Sequence, residues 1–209
     1  MQQLFPDLWQ TQTEHPFHGV TSHAYLLARP EGNILFYGTG VLEELQPIKD
    51  LGGIVRQYLS HRDEAGPALA TIKQTFGSAL CCHKLEAKAV KSYCPIDVTF
   101  DARETHLGNI EVIPTPGHTS GSTCFMYRSP HGKTYLFTGD SLFPKGQSWG
   151  TLIWPFSGGR KSSLRASLGL LRELDPDVVI ASACQGPTPV SMTYADEWHA
   201  IVDRAIERL

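Results

Sequence analysis

Three times along this chain an apolar run stops abruptly in a knot of Gly, His and Asp. The three places are Leu59-Ser-His-Arg-Asp-Glu-Ala-Gly66, Pro114-Thr-Pro-Gly-His-Thr-Ser-Gly-Ser122 and Leu136-Phe-Thr-Gly-Asp-Ser-Leu-Phe143. Each reads as a buried strand that delivers polar groups at its C-terminal end, and loops at strand ends are where scaffolds present functional side chains. His and Asp are ordinary ligands for zinc, iron or manganese. His61 and Asp63 lie two apart, which puts both side chains on one side if the backbone is extended. Glycines beside His118 and Asp140 permit tight turns and close approach. One such knot is a loop like any other; three of them point to a shared site.

The rest of the chain supplies strands and helices to carry these ends. His23 to Ala28 and Asn33 to Tyr37 read as a hairpin about the turn Arg29-Pro-Glu-Gly32. A short helix is expected over Val41 to Asp50, a strand over Gly53 to Ser60, a helix over Pro67 to Phe76 and a strand over Ala79 to Cys82. Strands follow over Asn109 to Pro114, Ser122 to Tyr127 and Lys133 to Thr138, the last two joined at Ser129-Pro-His-Gly132. Leu164, Leu168, Leu171 and Leu174 stripe one helix; Trp198, Ile201, Val202, Ala205 and Leu209 stripe another. Between them Asp177 to Ser182 reads as a strand. Hairpins first and alternating strands and helices later predict sheets covered by helices in an α/β fold. No linker divides the 209 residues, so residues 1–209 form one domain.

Composition narrows the partners. Eighteen Lys and Arg against 21 Asp and Glu give a net charge of -3, with no basic tract, which disfavours nucleic acid. No apolar run is long enough to span a membrane, and Met1-Gln-Gln-Leu-Phe-Pro does not read as a secretory leader. Five cysteines without CxxC spacing suggest reduced, buried thiols and a cytoplasmic protein. Nothing in the sequence stands against a homo-oligomer.

Thr115-Pro-Gly-His-Thr-Ser-Gly-Ser122 and Leu136-Phe-Thr-Gly-Asp-Ser-Leu-Phe143 resemble the TPGHTxGS and LFTGDxLF segments of the metallo-beta-lactamase superfamily, and the His23–Gly40 hairpin looks like that family's opening strands. The resemblance implies a four-layer αββα sandwich with metal and substrate at one edge. It does not choose among thioester hydrolases, lactonases, lactamases, nucleases and flavodiiron proteins.

The departures are as informative. Where the family has HxHxDH, this chain has His61-Arg-Asp-Glu-Ala-Gly66: Asp63 stands for the second histidine, Ala65 for the aspartate and Gly66 for the last histidine. Gln185 takes the place of a closing histidine, and Gly38 that of an acidic residue. The resemblance therefore implies one divalent ion (Zn, Fe or Mn) on His61, Asp63, His118 and Asp140, with Asp140 and His118 at the reacting centre. A conventional second metal has lost its ligands. The implied activity is hydrolysis of a small ester, thioester or lactone. The alternative is a noncatalytic relative that binds a ligand or partner and holds no metal. Trp149 and Trp154 are candidates for an apolar wall, Lys145 or Arg160 for an anion contact, and Arg62 and Glu64 for filling the space of the lost ligands, Arg62 as a cation in the second-metal region. Glu64, one position off the missing aspartate, should point away from the site on an extended strand.

Overall fold

The computed structural model describes residues 1–186 and 188–209. Two sheets form. The first orders the strands Gln2–Phe5, Leu8–Gln10, Tyr25–Leu27, Ile34–Phe36, Arg56–Tyr58, Ala79–His83 and Val98–Phe100. Its first half is antiparallel, and from Ile34–Phe36 onward it is parallel. The second orders Val190–Met192, Val178–Ala181, Thr134–Gly139, Thr123–Arg128, Ile110–Pro114 and Glu104–His106, with one parallel pair between Thr134–Gly139 and Val178–Ala181. The strands and helices expected from the sequence are all present to within a few residues. The edge strands Gln2–Phe5, Val98–Phe100, Glu104–His106 and Val190–Met192, and Leu8–Gln10 next to the first of them, are short and carry too little apolar alternation to stand out in the sequence.

The alternation of side chains along each strand explains the layers. Residues on the facing sides, among them Tyr25, Leu27, Phe36, Tyr58, Phe125, Phe137 and Ile180, make a shared central core. Phe36 and Phe137 stack across it with ring centroids 4.0 Å apart. The opposite face of the first sheet, with Leu26 and Leu35, packs under helices α1 (Leu45–Asp50) and α2 (Ala68–Phe76), which present Ile48 and Ile72. Farther along, Leu59, Leu80 and Cys82 pack with Val90 of α3 (Ala87–Val90). The outer face of the second sheet meets α4 (Lys161–Arg172) and α5 (Ala195–Glu207) through the two stripes read from the sequence: Leu164, Leu168 and Leu171 against Trp198, Ile201 and Val202. Two sheets face to face with helices outside each make the αββα sandwich.

The C-terminal ends of five strands gather at one edge. Ile34–Phe36 leads into Tyr37–Gly40, Arg56–Tyr58 into His61, Ile110–Pro114 into His118, Thr134–Gly139 into Asp140, and Val178–Ala181 into Ser182. Tyr37 ties this edge together. Its backbone sits at φ 70°, unusual for a side chain of this size, and its hydroxyl reaches the other sheet. There it donates to the Ile180 carbonyl at 2.7 Å and accepts from the Gly139 N–H at 3.0 Å. The Ser60 carbonyl makes a second bridge, accepting from the Thr123 N–H at 2.9 Å. Gly139, at φ 54°, must lack a side chain: a Cβ there would run into Ser60.

Tyr37→Phe keeps the ring but leaves the buried Gly139 N–H without an acceptor. The Ile180 carbonyl keeps only a 3.4 Å contact from the Thr138 hydroxyl. We expect a loss of about 1–3 kcal/mol in unfolding free energy by urea titration, with the cooperativity of the transition unchanged.

Candidate metal centre

His61 begins the first knot, and here the chain does not continue as an extended strand. Arg62–Glu64 winds into one turn of 3-10 helix. That turn corrects two expectations built on extended spacing. Asp63 reaches the site because the turn carries it there, and Glu64 folds back toward the site's supporting groups instead of pointing away. The Glu64 carboxylate accepts from the Ser60 N–H at 2.8 Å, accepts from the Ser60 hydroxyl, and lies 3.2 Å from His61 Nδ1. Gly38 makes room for this, since a Cβ at Gly38 would strike the Glu64 carbonyl. The missing acidic residue at position 38 thus has a steric reason in this chain.

The imidazole of His61 is buried, held at Nδ1 by Ser60 and Glu64. Its Nε2 faces inward, 3.5 Å from Asp140 Oδ2. His118 is arranged alike. Its Nδ1 donates to the Leu152 carbonyl at 3.2 Å, and the N–H of Trp154 donates to its own carbonyl. The two rings stand edge to face with centroids 4.5 Å apart. His118 Nε2 lies 3.6 Å from Asp63 Oδ2 and 3.8 Å from Asp140 Oδ2, beyond hydrogen-bond reach of either. It is fully buried and has no hydrogen-bond partner. Asp140 is fixed from behind: its Oδ1 accepts from the Ser182 hydroxyl at 2.6 Å, which turns Oδ2 toward the two histidines.

All four residues named from the sequence therefore converge. One donor atom each from His61, Asp63 and His118 lies within 4.8 Å of the others, and Asp140 Oδ2 stands beside both imidazoles. Two nitrogens and carboxylate oxygens directed at a common point, each imidazole anchored through its other nitrogen, are what a single divalent ion requires. The orphaned Nε2 of His118 supports the fit: among the described residues the other buried side-chain atoms without a partner are the Tyr25 hydroxyl and Arg29 Nε and Nη1, and none of them belongs to this donor cluster.

The second-metal positions stay as the sequence has them. Gly66 and Gln185 line the cavity beside the donors, and Ala65 packs into the apolar cluster under α3. Arg62 does not fill that space. It turns outward to form an ion pair with the buried Glu86 and donates to the Leu85 carbonyl and the Ser120 hydroxyl. Glu86 in turn accepts from the Gly121 N–H at 2.6 Å and the Thr119 hydroxyl at 3.1 Å. This carboxylate clamps the loop after His118 to the turn after His61.

The cavity walls also differ from expectation. Trp149 packs into the core under α5, and Trp154 sits half-exposed beside Phe156; neither lines the cavity, and nor do Lys145 and Arg160. Phe143 and Leu152 take the wall position instead. The segment 14–22, with Glu14, Pro16, Phe17, Val20 and Ser22, closes another side, and the sequence pattern does not point to it. It has no periodicity to mark it; an unexplained Pro-Phe pair ahead of the first strong strand was its one trace.

Burial on its own would lower the pKa of His61, but the carboxylates of Glu64 and Asp140 outweigh it and raise the value to about 9. Beside it, the His118 imidazole holds the Asp63 carboxyl below its ordinary range, against the burial that would raise it.

Comparisons with known proteins agree with this fold. A family model described as the metallo-beta-lactamase superfamily matches residues 95–183, a stretch that includes His118 and Asp140 but stops short of the altered first knot. A probable metallo-hydrolase of Methanocaldococcus jannaschii is 26% identical over 181 residues, 75% of this chain and 82% of that protein. A metallo-beta-lactamase from Pontibacter korlensis superposes with a TM-score of 0.74 at 22% identity, over 98% of this chain and 95% of that one. ETHE1 from Myxococcus xanthus gives 0.69 at 20% identity, over 89% and 80%. A Cronobacter sakazakii metallo-beta-lactamase described by a HARLDQ motif gives 0.62 at 19% identity, over 83% and 81%.

In the ion-free protein, a His61 pKa raised from 6.5 to about 9 contributes stability that is complete below pH 6.5 and lost as the pH climbs through about 9. Urea unfolding across that window should show wild-type stability falling, and His61→Gln should flatten the fall. A wild-type profile as flat as the variant's would contradict the ion-pair assignment.

Proposed function

This chain has the metallo-beta-lactamase superfamily fold with its metal motif reduced to His61, Asp63 and His118, and from that premise we propose that it is a hydrolase of a small ester, thioester or lactone that works with one divalent ion. His61, Asp63, His118 and Asp140 hold the ion, which is Zn, Fe or Mn by donor chemistry. When bound, it supplies Lewis acidity and makes water a stronger acid. The observation that carries this reading is the buried His118 Nε2, aimed at three other donors and satisfied by none of them.

His118 and Asp140 are the residues assigned to catalysis. Ser182 fixes Oδ1 of Asp140, so Oδ2 would face the ion beside the two imidazoles without swinging. The water oxygen bonds to the acyl carbon, the acyl–oxygen or acyl–sulfur bond breaks, and the proton released by the water leaves with the alkoxide or thiolate. Glu64 takes no part in this, being committed to Ser60 and His61. Glu86 keeps the two donor loops in place.

One observation favours the noncatalytic alternative: His61 between Glu64 and Asp140 forms a charge network that is complete without an ion. That network leaves His118 unpartnered, which is why the metal-dependent reading is preferred. No helix among the described residues is long and apolar enough to cross a membrane. All five cysteines are buried and unpaired, which supports a reducing, cytoplasmic setting.

After equilibration with excess zinc or manganese and removal of free ion, the wild type should retain close to one equivalent by elemental analysis, and His118→Ala close to none. Retention of no metal by the wild type overturns the reading. Asp140→Asn, which removes one charged donor, should lower kcat/KM of the loaded enzyme for a small ester by at least roughly tenfold.

A further inference from the structure

The cavity beside the four donors has a volume of about 340 Å³, toward the small end of ligand pockets. Its wall is unusual in charge. Glu14, Asp63, Glu64 and Asp140 line it, while no Lys or Arg among the described residues does. The charge on Glu14 is met by hydrogen bonds alone, from the Thr39 hydroxyl at 2.6 Å and the Gly40 N–H at 2.8 Å. His61 faces Glu64 and Asp140 and is itself one of the four donors. His23, buried at the wall with Nδ1 at the Thr11 carbonyl, is pushed by that burial toward its neutral form. Away from the donors, where an ion's charge would be matched by Asp63 and Asp140, a carboxylate or phosphate on a ligand would meet Glu14 and Glu64 and find no cation of the chain to pair with.

The large apolar side chains of the wall come from three separate stretches: Pro16, Phe17 and Val20, then Leu69 of α2, then Phe143 and Leu152. Phe17 is 75% exposed and Leu152 39% exposed, two large apolar side chains left open to water at the same cavity. The root of the Phe17 segment is fixed, by the Glu14 contacts to Thr39 and Gly40 and by the bridge between Glu14 and Ser22. The segment is therefore a built wall, and its exposed ring has no partner within the chain's core clusters.

We propose that the substrate is an uncharged acyl compound with an apolar arm, the acyl group seated at the donors and the arm covering Phe17, Leu69 and Leu152. The assignment rests on the hydrolase reading above for the word substrate; as a statement of ligand class it stands on the wall alone. It excludes acyl compounds whose arm ends in a carboxylate or phosphate.

Binding and turnover are measured separately on the zinc-loaded protein. For binding, calorimetry compares N-butylacetamide, N-butylhexanamide and the analogue of the latter whose terminal methyl is a carboxylate; these amides mimic esters. Each methylene buried is expected to strengthen binding by about fourfold when fully covered. The hexanamide should therefore bind at least about tenfold more tightly than the acetamide, and the carboxylate analogue at least about tenfold more weakly than the hexanamide. Phe17→Ala, a change at an exposed position, should reduce the gain with arm length. Equal or tighter binding of the carboxylate, no gain with arm length, or no binding of any of the three overturns the proposal. For turnover, the matching p-nitrophenyl esters are assayed. Selective amide binding without ester hydrolysis removes the hydrolase reading and upholds the ligand class. Hydrolysis that ignores arm length and accepts the carboxylate ester does the reverse.

Discussion

The hydroxyl of Tyr37 joins the two sheets at the edge where the donors lie. Its oxygen is bonded on one side to Ile180 and on the other to Gly139, both on strands of the opposite sheet. Behind it, Phe36 and Phe137 stack across the central core. A residue of this size at positive φ carries a cost of order 1–3 kcal/mol, and it persists only where its surroundings leave no alternative. Here the surroundings are the site. With Tyr37 in place, Gly139 passes against Ser60, and Asp140 and His61 emerge side by side. The donors are thus placed by strand ends of two different sheets, positioned before any ligand arrives. Preorganisation of this kind lets a site hold a charge without rearranging.

A second layer of polar contacts decides what the donors can do. Each imidazole is tied through Nδ1, His61 to Ser60 and Glu64, His118 to the Leu152 carbonyl, so each offers Nε2 to the same space. Asp140 is tied through one oxygen and offers the other. The result is two nitrogens and carboxylate oxygens converging on a point, with one buried nitrogen unsatisfied. The same chain closes off a conventional two-metal centre. Ala65, Gly66 and Gln185 supply no imidazole, Gly38 supplies no carboxylate, and the room at Gly38 is taken by the backbone of Glu64. The reduction reads as a consistent rearrangement of one turn.

Much of this was legible in the residues. Continuous apolar runs gave the inner strands, which are buried on both faces, and the leucine and tryptophan stripes gave α4 and α5, which bury one face each. The short edge strands bury little and left no pattern. His61, Asp63, His118 and Asp140 were identifiable through their motifs. What misled was the assumption of extended backbone after His61. A single turn of 3-10 helix depends on tertiary room, here supplied by Gly38 and by the Arg62–Glu86 pair, and no local propensity announces it. The same turn sent Arg62 outward and Glu64 back toward His61. The tryptophans near position 150 were misplaced for a related reason: an aromatic residue in a loop can face the core as readily as a cavity, and Trp149 found the core.

The central claim is that one ion sits among His61, Asp63, His118 and Asp140. Crystals grown with zinc, measured at its absorption edge, test it most directly. The account predicts one strong anomalous peak within coordinating distance, about 2.0–2.2 Å, of both Nε2 atoms and of oxygens from Asp63 and Asp140. A second peak of comparable height near Gly66 and Gln185, or no peak at all beside a His118 Nε2 that has found a water or protein partner, would contradict it.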